Sequence, residues 1–301
     1  MKEAAVRENY LEKHPMIMVV IGIIGISLSS IFVKYSTAPS AVTAACRLLW
    51  TVLLMTPTVF GRKAVLMELR QTDKKTAALS CLSGLFLAIH FALWFESLQH
   101  TSVASSTTIV CTEVIWVSLG YCLFMKGRLS GKAVAVIGVT LLGSVLIAFS
   151  DSGTGGAHLY GDILSLLAAI AVAVYMLLGR AVRRTLSTTV YTYIVYVACG
   201  GALVLLCIGC GYGLFSYGAS PWIVGVLLSV FSTILGHSIF SWCLKFFSPS
   251  FVSASKLCEP VVAAILAGFL FGEMPTALQL LGGALILGGV FCYSRIEREE
   301  K

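Results

Sequence analysis

Charge is what this chain lacks most. Lys, Arg, Asp and Glu make up 12% of its 301 residues, about half the share usual in soluble domains. Hydrophobic residues make up 58%, and the mean hydropathy is +0.92. That balance excludes a disordered chain, a secreted disulfide scaffold and a soluble globular domain, which could not hide so much apolar surface. With only seven prolines, a collagen-like fibre is excluded as well. Long polar stretches are also missing. The longest, near 61–76 and 150–159, are too short to hold a soluble catalytic or DNA-binding domain. No G-x-x-x-x-G-K-[ST] phosphate loop is present, so ATP is not a direct drive. H-E-x-x-H, G-x-S-x-G and paired aspartates within an apolar run are absent too, which leaves an intramembrane enzyme without a catalytic constellation. Rings of like residues along a pore, as a channel requires, are not evident.

What is present is a series of long apolar runs. A membrane-crossing helix needs about 20 mostly apolar residues. Ten runs meet this, at 16–34, 40–60, 77–97, 102–124, 132–149, 160–179, 189–210, 221–245, 250–271 and 276–294. The fold class expected is therefore an all-α polytopic membrane protein with ten transmembrane helices. Residues 1–14 read as a retained cytoplasmic segment, because no small-residue cleavage site follows them. With the N-terminus in the cytoplasm, 18 of the 21 Lys and Arg residues fall on the inner side and none in an outer loop. Both termini are then cytoplasmic, and the net charge of +7 records topology, with no nucleic-acid partner implied. Nearly all of the ten cysteines lie within spans and read as small apolar packing residues, including the C-x-x-C cysteines Cys207 and Cys210 near the outer end of the seventh span.

The chain carries landmarks of an internal repeat. The third to fifth spans contain His90, Trp94, Glu113 and Gly143; the eighth to tenth contain His237, Trp242, Glu259 and Gly289. His-to-Glu spacing is 23 residues in one and 22 in the other. Five helices is an odd number, so the second repeat must enter the membrane inverted, which suits alternating access. The boundaries expected are a first repeat at 15–149, an external linker at 150–159, a second repeat at 160–294 and a cytoplasmic tail at 295–301.

From these residues the sequence resembles the EamA-type transporters of the drug/metabolite transporter superfamily. The similarity is most specific in Ser253-Ala-Ser-Lys-Leu-Cys-Glu259-Pro260-Val, Gly272-Glu273-Met-Pro-Thr and Leu281-Gly-Gly-Ala-Leu-Ile-Leu-Gly-Gly-Val290. Arg47 and the run Thr101–Thr108 also fit. The first repeat departs from the pattern, with Thr112-Glu113-Val114 lacking the proline. The resemblance implies a multi-pass protein of the cell (plasma or inner) membrane that moves a small organic solute. Metabolites, amino-acid-like compounds or drugs are the class implied, with efflux favoured over uptake.

The candidate site residues are the polar groups that break the apolar pattern. An ionisable group at the bilayer centre costs about 2.5–3.5 kcal/mol on insertion scales. At about 1.5 Å per residue, Glu113 and Glu259 both reach the midplane, where carriers of this kind place substrates and coupling ions. Proton coupling through Glu113 or Glu259 is expected. Pro260 leaves the carbonyl of Lys256 without its helical donor and is the expected hinge. Beside it, Lys256 and Glu259 either form an ion site or neutralise each other three residues apart on one face. Arg47 and His90 are expected towards the outer side, Lys256 and His237 towards the inner, so that a cation and a histidine stand on each side of the midplane. Lys34 is the remaining internal charge. Trp94, Trp242, Phe32 and Tyr175 are candidates for an aromatic lining, with packing the competing reading. Asp151, His158 and Asp162 form an outer acid–base trio, or Asp162 simply caps its helix. No metal or cofactor is expected, and a monomer or homodimer is compatible with the chain.

Overall fold

The computed structural model describes residues 12, 14–101, 103–151, 159–259, 261–262, 265 and 276–299. Among them the chain is helical throughout its ordered elements, with no β-strand. We label the principal helices α1 (Pro15–Val33, interrupted at Leu28), α2 (Ser40–Gly61), α3 (Lys74–His100) and α4 (Val103–Cys111 and Glu113–Met125). They continue with α5 (Gly131–Asp151), α6 (Leu159–Val182), α7 (Thr188–Gly209), α8 (Ser220–Cys243), α9 (Pro249–Ser255) and α10 (Ala277–Glu299). Eight of these are long and apolar enough to cross a membrane, while α5 qualifies only as a shorter apolar helix and α9 is described over one short stretch. Nine of the ten expected apolar runs therefore coincide with a helix, and the run 250–271 begins as one over the part that is described. Pro260, the expected hinge, lies outside the described residues, as does His158 of the outer trio.

Exposed apolar side chains ring the bundle: Val20, Leu53, Ile89, Leu119, Leu142, Leu205 and Leu280 face outward. The interior is unusually polar by contrast, holding Ser27, Thr43, Arg47, Thr51, Ser83, Ser97, Ser165, Ser229, Ser232 and Thr233 at 1% exposure or less. That inversion follows from the solvent. Lipid tails reward an apolar exterior, and side-chain hydroxyls find partners only on neighbouring helices. Ser97, Ser106 and Ser165 join α3, α4 and α6 in this way, and Thr51 donates to Ser229 at 2.9 Å between α2 and α8.

Four features differ from the sequence expectation. The expected polar connection at 61–76 contains an amphipathic helix, Lys63–Gln71, with no buried residue. Its Glu68 accepts from the backbone N–H of Ser187 at 2.6 Å, tying it to the start of α7. Asp73 then caps α3, and hydrogen bonds from Thr76 hold its carboxyl below the usual range. The second difference is the middle of α8, Leu228–Ser238, which is a π-helix. The Thr233 hydroxyl donates to the carbonyl of Leu228 five residues back, in step with that wider register. Third, Asp162 sits within the first turn of α6 and accepts from the Thr101 hydroxyl of the neighbouring connection at 2.8 Å. Fourth, Arg180 and Arg183, expected only as inner-side charges, bind carbonyls at the end of α8: Phe247 from Arg180 and Ser241 from Arg183, each at 3.2 Å. All ten cysteines are free.

Helix crossings depend on glycine where backbones meet. A Cβ on Gly25 of α1 would stand 2.7 Å from the carbonyl oxygen of Phe231 in α8. The repeat landmark Gly143 lies at the α5–α10 crossing, where a Cβ would stand 2.7 Å from the carbonyl oxygen of Gly282. Gly143→Leu should therefore cost about 1–3 kcal/mol through overpacking, read as a lower melting temperature in detergent. Gly138→Ala on the same helix meets nothing within 4 Å and should leave the melting temperature unchanged.

Candidate functional site

Both glutamates sit just after an interruption in their helix. α4 breaks at Thr112, whose hydroxyl donates to the carbonyl of Ile109 at 2.6 Å, so Glu113 opens the second half of the helix. A helix start is a favourable place for a carboxylate, because its N–H groups point that way. In α9 the backbone tightens to a 3₁₀ turn at Lys256–Cys258, and Glu259 follows it. The first half thus makes its break without proline, using a threonine hydroxyl instead.

These residues line one cavity of about 40 Å³, bounded by Ile26, Ser29, Arg47, His90, Trp94, Val110, Glu113, Val172, Ser232, His237, Lys256 and Glu259. Seven helices contribute: α1, α2, α3, α4, α6, α8 and α9. The space has room for a few waters.

Four formal charges meet there. The Lys256 ammonium is 2.9 Å from Glu113 Oε1, and both side chains are under one-tenth exposed. Ser253, one turn before Lys256, donates to the same carboxylate oxygen at 3.0 Å. The ammonium also contacts Met176 Sδ at 3.4 Å and lies 5.5 Å from the Phe240 ring. This corrects one sequence expectation: Lys256 does not pair with Glu259 on its own helix but crosses to α4. Glu259 makes no hydrogen bond or ion pair among the described residues.

Arg47 is wholly buried. Its Nε donates to Thr233 Oγ1 at 2.7 Å and its Nη1 to Ser29 Oγ at 3.4 Å. The guanidinium carbon stands 4.2 Å over the Phe91 ring. Its Nη2 has no partner. Arg47 therefore rests on hydroxyls and a ring face, with no carboxylate within 4.0 Å among the described residues.

The histidines meet at the same level. His90 donates its Nδ1–H to the carbonyl of Ala168 at 3.0 Å and stacks on Trp94 at 5.9 Å. His237 lies edge-on to His90 at 6.4 Å, to Phe91 at 5.2 Å and to Tyr175 at 6.2 Å. The two cation–histidine sets, expected on opposite sides of the midplane, line a single cavity.

The other candidates are not part of the lining. Tyr175 is buried beside it and shares a hydrogen bond with Ser241 at 2.9 Å. Phe32 packs on Phe231, and Trp242 on Phe246 at 4.4 Å. Lys34 is exposed at the end of α1. The sequence reading missed Thr233, Phe91, Met176 and Phe240 as partners of the buried cations and Ser253 as a donor to Glu113. Ser253 alone carried a local signal, its three-residue spacing from Lys256 on the same helix.

Residues 159–295 match the EamA-like transporter family. An uncharacterized transporter of Bacillus subtilis (strain 168), YdfC, is 26% identical over 243 residues, covering 79% of this chain and 78% of that protein. A second from the same organism, YxxF, is 26% identical over 221 residues, covering 72% and 70%. An uncharacterized transporter of Archaeoglobus fulgidus is 26% identical over 236 residues, covering 77% and 82%. A solved crystal structure shares the fold at a TM-score of 0.79 with 17% identity, covering 95% of this chain and 99% of that one. With residues 159–295 matching the EamA-like transporter family, proteins named transporters similar along most of its length and a bundle of apolar helices, the chain is a multi-pass membrane transporter whose second half is similar to the EamA-like family.

Proposed function

We propose that the protein is a secondary carrier of small organic solutes, amino-acid-like compounds or drugs, that exports them by alternating access with proton coupling through the cavity carboxylates. The observation that carries this reading is the convergence of landmarks from both halves of the chain, His90 and Glu113 with His237 and Glu259, on one cavity. A carrier needs a site that two half-bundles share and can expose to either side in turn.

Several contacts support ten spans in two inverted five-helix repeats, 15–149 and 160–294. The α3–α6 packing has its counterpart in α8–α1, and α3–α7 in α8–α2. The pairs α2–α7, α4–α9 and α5–α10 are their own counterparts. Loop contacts support the orientation. On the side assigned to the cytoplasm, Lys245 lies 3.7 Å from Glu12 and Glu68 reaches Ser187. On the opposite side Ser220 bonds the carbonyl of Tyr35, and Thr101 bonds Asp162.

The test is a metabolite screen by ligand-dependent thermal shift on purified protein, followed by flux of each hit in liposomes with and without a pH gradient. Hits should stabilise the wild type in proportion to occupancy and should do so far less for Glu259→Gln. Equal flux in both gradients would overturn proton coupling. Arg47→Lys keeps the charge but loses the planar fork that spans Thr233, Ser29 and the Phe91 ring. Initial flux should fall about tenfold or more, equivalent to about 1.4 kcal/mol, with a much smaller change in melting temperature.

A further inference from the structure

The four charges of the cavity are sorted into a closed pair and an open set. With both carboxylates ionised and both histidines neutral, Arg47, Lys256, Glu113 and Glu259 sum to zero, so local neutrality alone does not dictate who pairs with whom. Spacing favours Lys256 with Glu259, since residues three apart eclipse each other on a 3₁₀ turn. Lys256 reaches Glu113 of α4 instead, at 2.9 Å, and Ser253 adds a hydroxyl to the same oxygen at 3.0 Å. The rest of the ammonium's surroundings are soft: Met176 Sδ and the Phe240 ring. Glu113 thus has a fixed cation and a fixed donor, both delivered by α9.

Glu259 has neither among the described residues, yet it lines the same cavity. The ionisable groups around it are Lys256 and Cys258 on its own helix, Arg47 from α2, His90 from α3, Cys111 and Glu113 from α4, and His237 from α8. α1 presents Ser29, and α10 contributes nothing to the lining. Arg47 is committed to Thr233 and Ser29 through Nε and Nη1, while its buried Nη2 remains unpartnered beside the cavity. His90 is committed through Nδ1 to Ala168. Among the described residues, no side chain closes Glu259 off as Lys256 closes off Glu113.

We propose that Lys256 is a tethered counter-cation that takes Glu113 out of proton exchange and leaves Glu259 as the single proton-exchanging carboxylate of the cavity. Its meaning in transport rests on the proton-coupled carrier proposed above, but proton binding is measurable without transport. No bond is made or broken apart from the O–H bond at the Glu259 carboxylate, whose proton exchanges with water when the cavity opens.

The experiment is infrared difference spectroscopy of the full chain in lipid nanodiscs, following the C=O stretch of protonated carboxyl groups from about pH 5 to about pH 9, the range over which buried carboxylates titrate. The wild type should show one band. Glu259→Gln should abolish it. Lys256→Gln should expose Glu113 and about double the band area, and the double variant Lys256→Gln/Glu113→Gln should return it to the wild-type single band. If Lys256→Gln alone does not fold, as read by size-exclusion chromatography, the comparison of Glu259→Gln with the double variant decides. Persistence of the band in Glu259→Gln, its loss in the double variant, an unchanged area in a folded Lys256→Gln, or no wild-type band would each overturn the proposal. The expected bands together with flux indifferent to a pH gradient would uphold the proton site and overturn only the coupled-carrier reading.

Discussion

A lysine ammonium held 2.9 Å from a glutamate carboxylate, with under one-tenth of either side chain exposed, sets the terms for the rest of the bundle. Removing one partner of a buried ion pair typically costs about 3–5 kcal/mol, because the other charge is left without compensation. α4 and α9 therefore have to stay in register with each other. Their registry is adjusted at the breaks that precede the two glutamates, Thr112 in α4 and the tightened turn at Lys256–Cys258 in α9. Ser253, one turn upstream, shares the geometry and so ties the fixed part of α9 to the same carboxylate.

Around this pair the polar interior is organised by the same rule, that groups buried in a membrane protein must find partners inside the protein. The Arg47 guanidinium takes hydroxyls from α1 and α8 and the face of Phe91. Thr233 serves two needs, accepting from Arg47 and donating to a carbonyl that the π-helical register frees for it. A π segment persists only when surroundings compensate its poorer backbone geometry. Here those surroundings are Arg47 on one side and the close approach of Gly25 on another.

Much of the architecture was legible because lipid imposes a coarse and strict code. Runs of about 20 apolar residues had to become helices, and rare His, Trp and Glu residues in apolar context had to face inward. Convergence of His90, His237, Glu113 and Glu259 on one cavity extends that logic. What the sequence could not disclose is partner choice. Lys256 stands three residues from one glutamate and 143 from the other, and local spacing favours the wrong one. The break at Thr112 was equally hidden, since it uses a hydroxyl where the second half has a proline nearby. That Arg47 and His237 would line the same cavity was equally beyond a linear count, which assumes uniform rise where α8 departs from it. Phe32, Trp242 and Lys34 had the right chemistry and the wrong position, which only tertiary packing determines.

The smallness of the cavity has a thermodynamic consequence for whatever the protein carries. About 40 Å³ admits a few waters, so a solute of organic size requires the cavity to widen. Its apparent dissociation constant then exceeds the intrinsic one by the inverse of the fraction of molecules in the widened form. Substitutions that loosen the packing, far from any solute contact, would therefore tighten apparent binding.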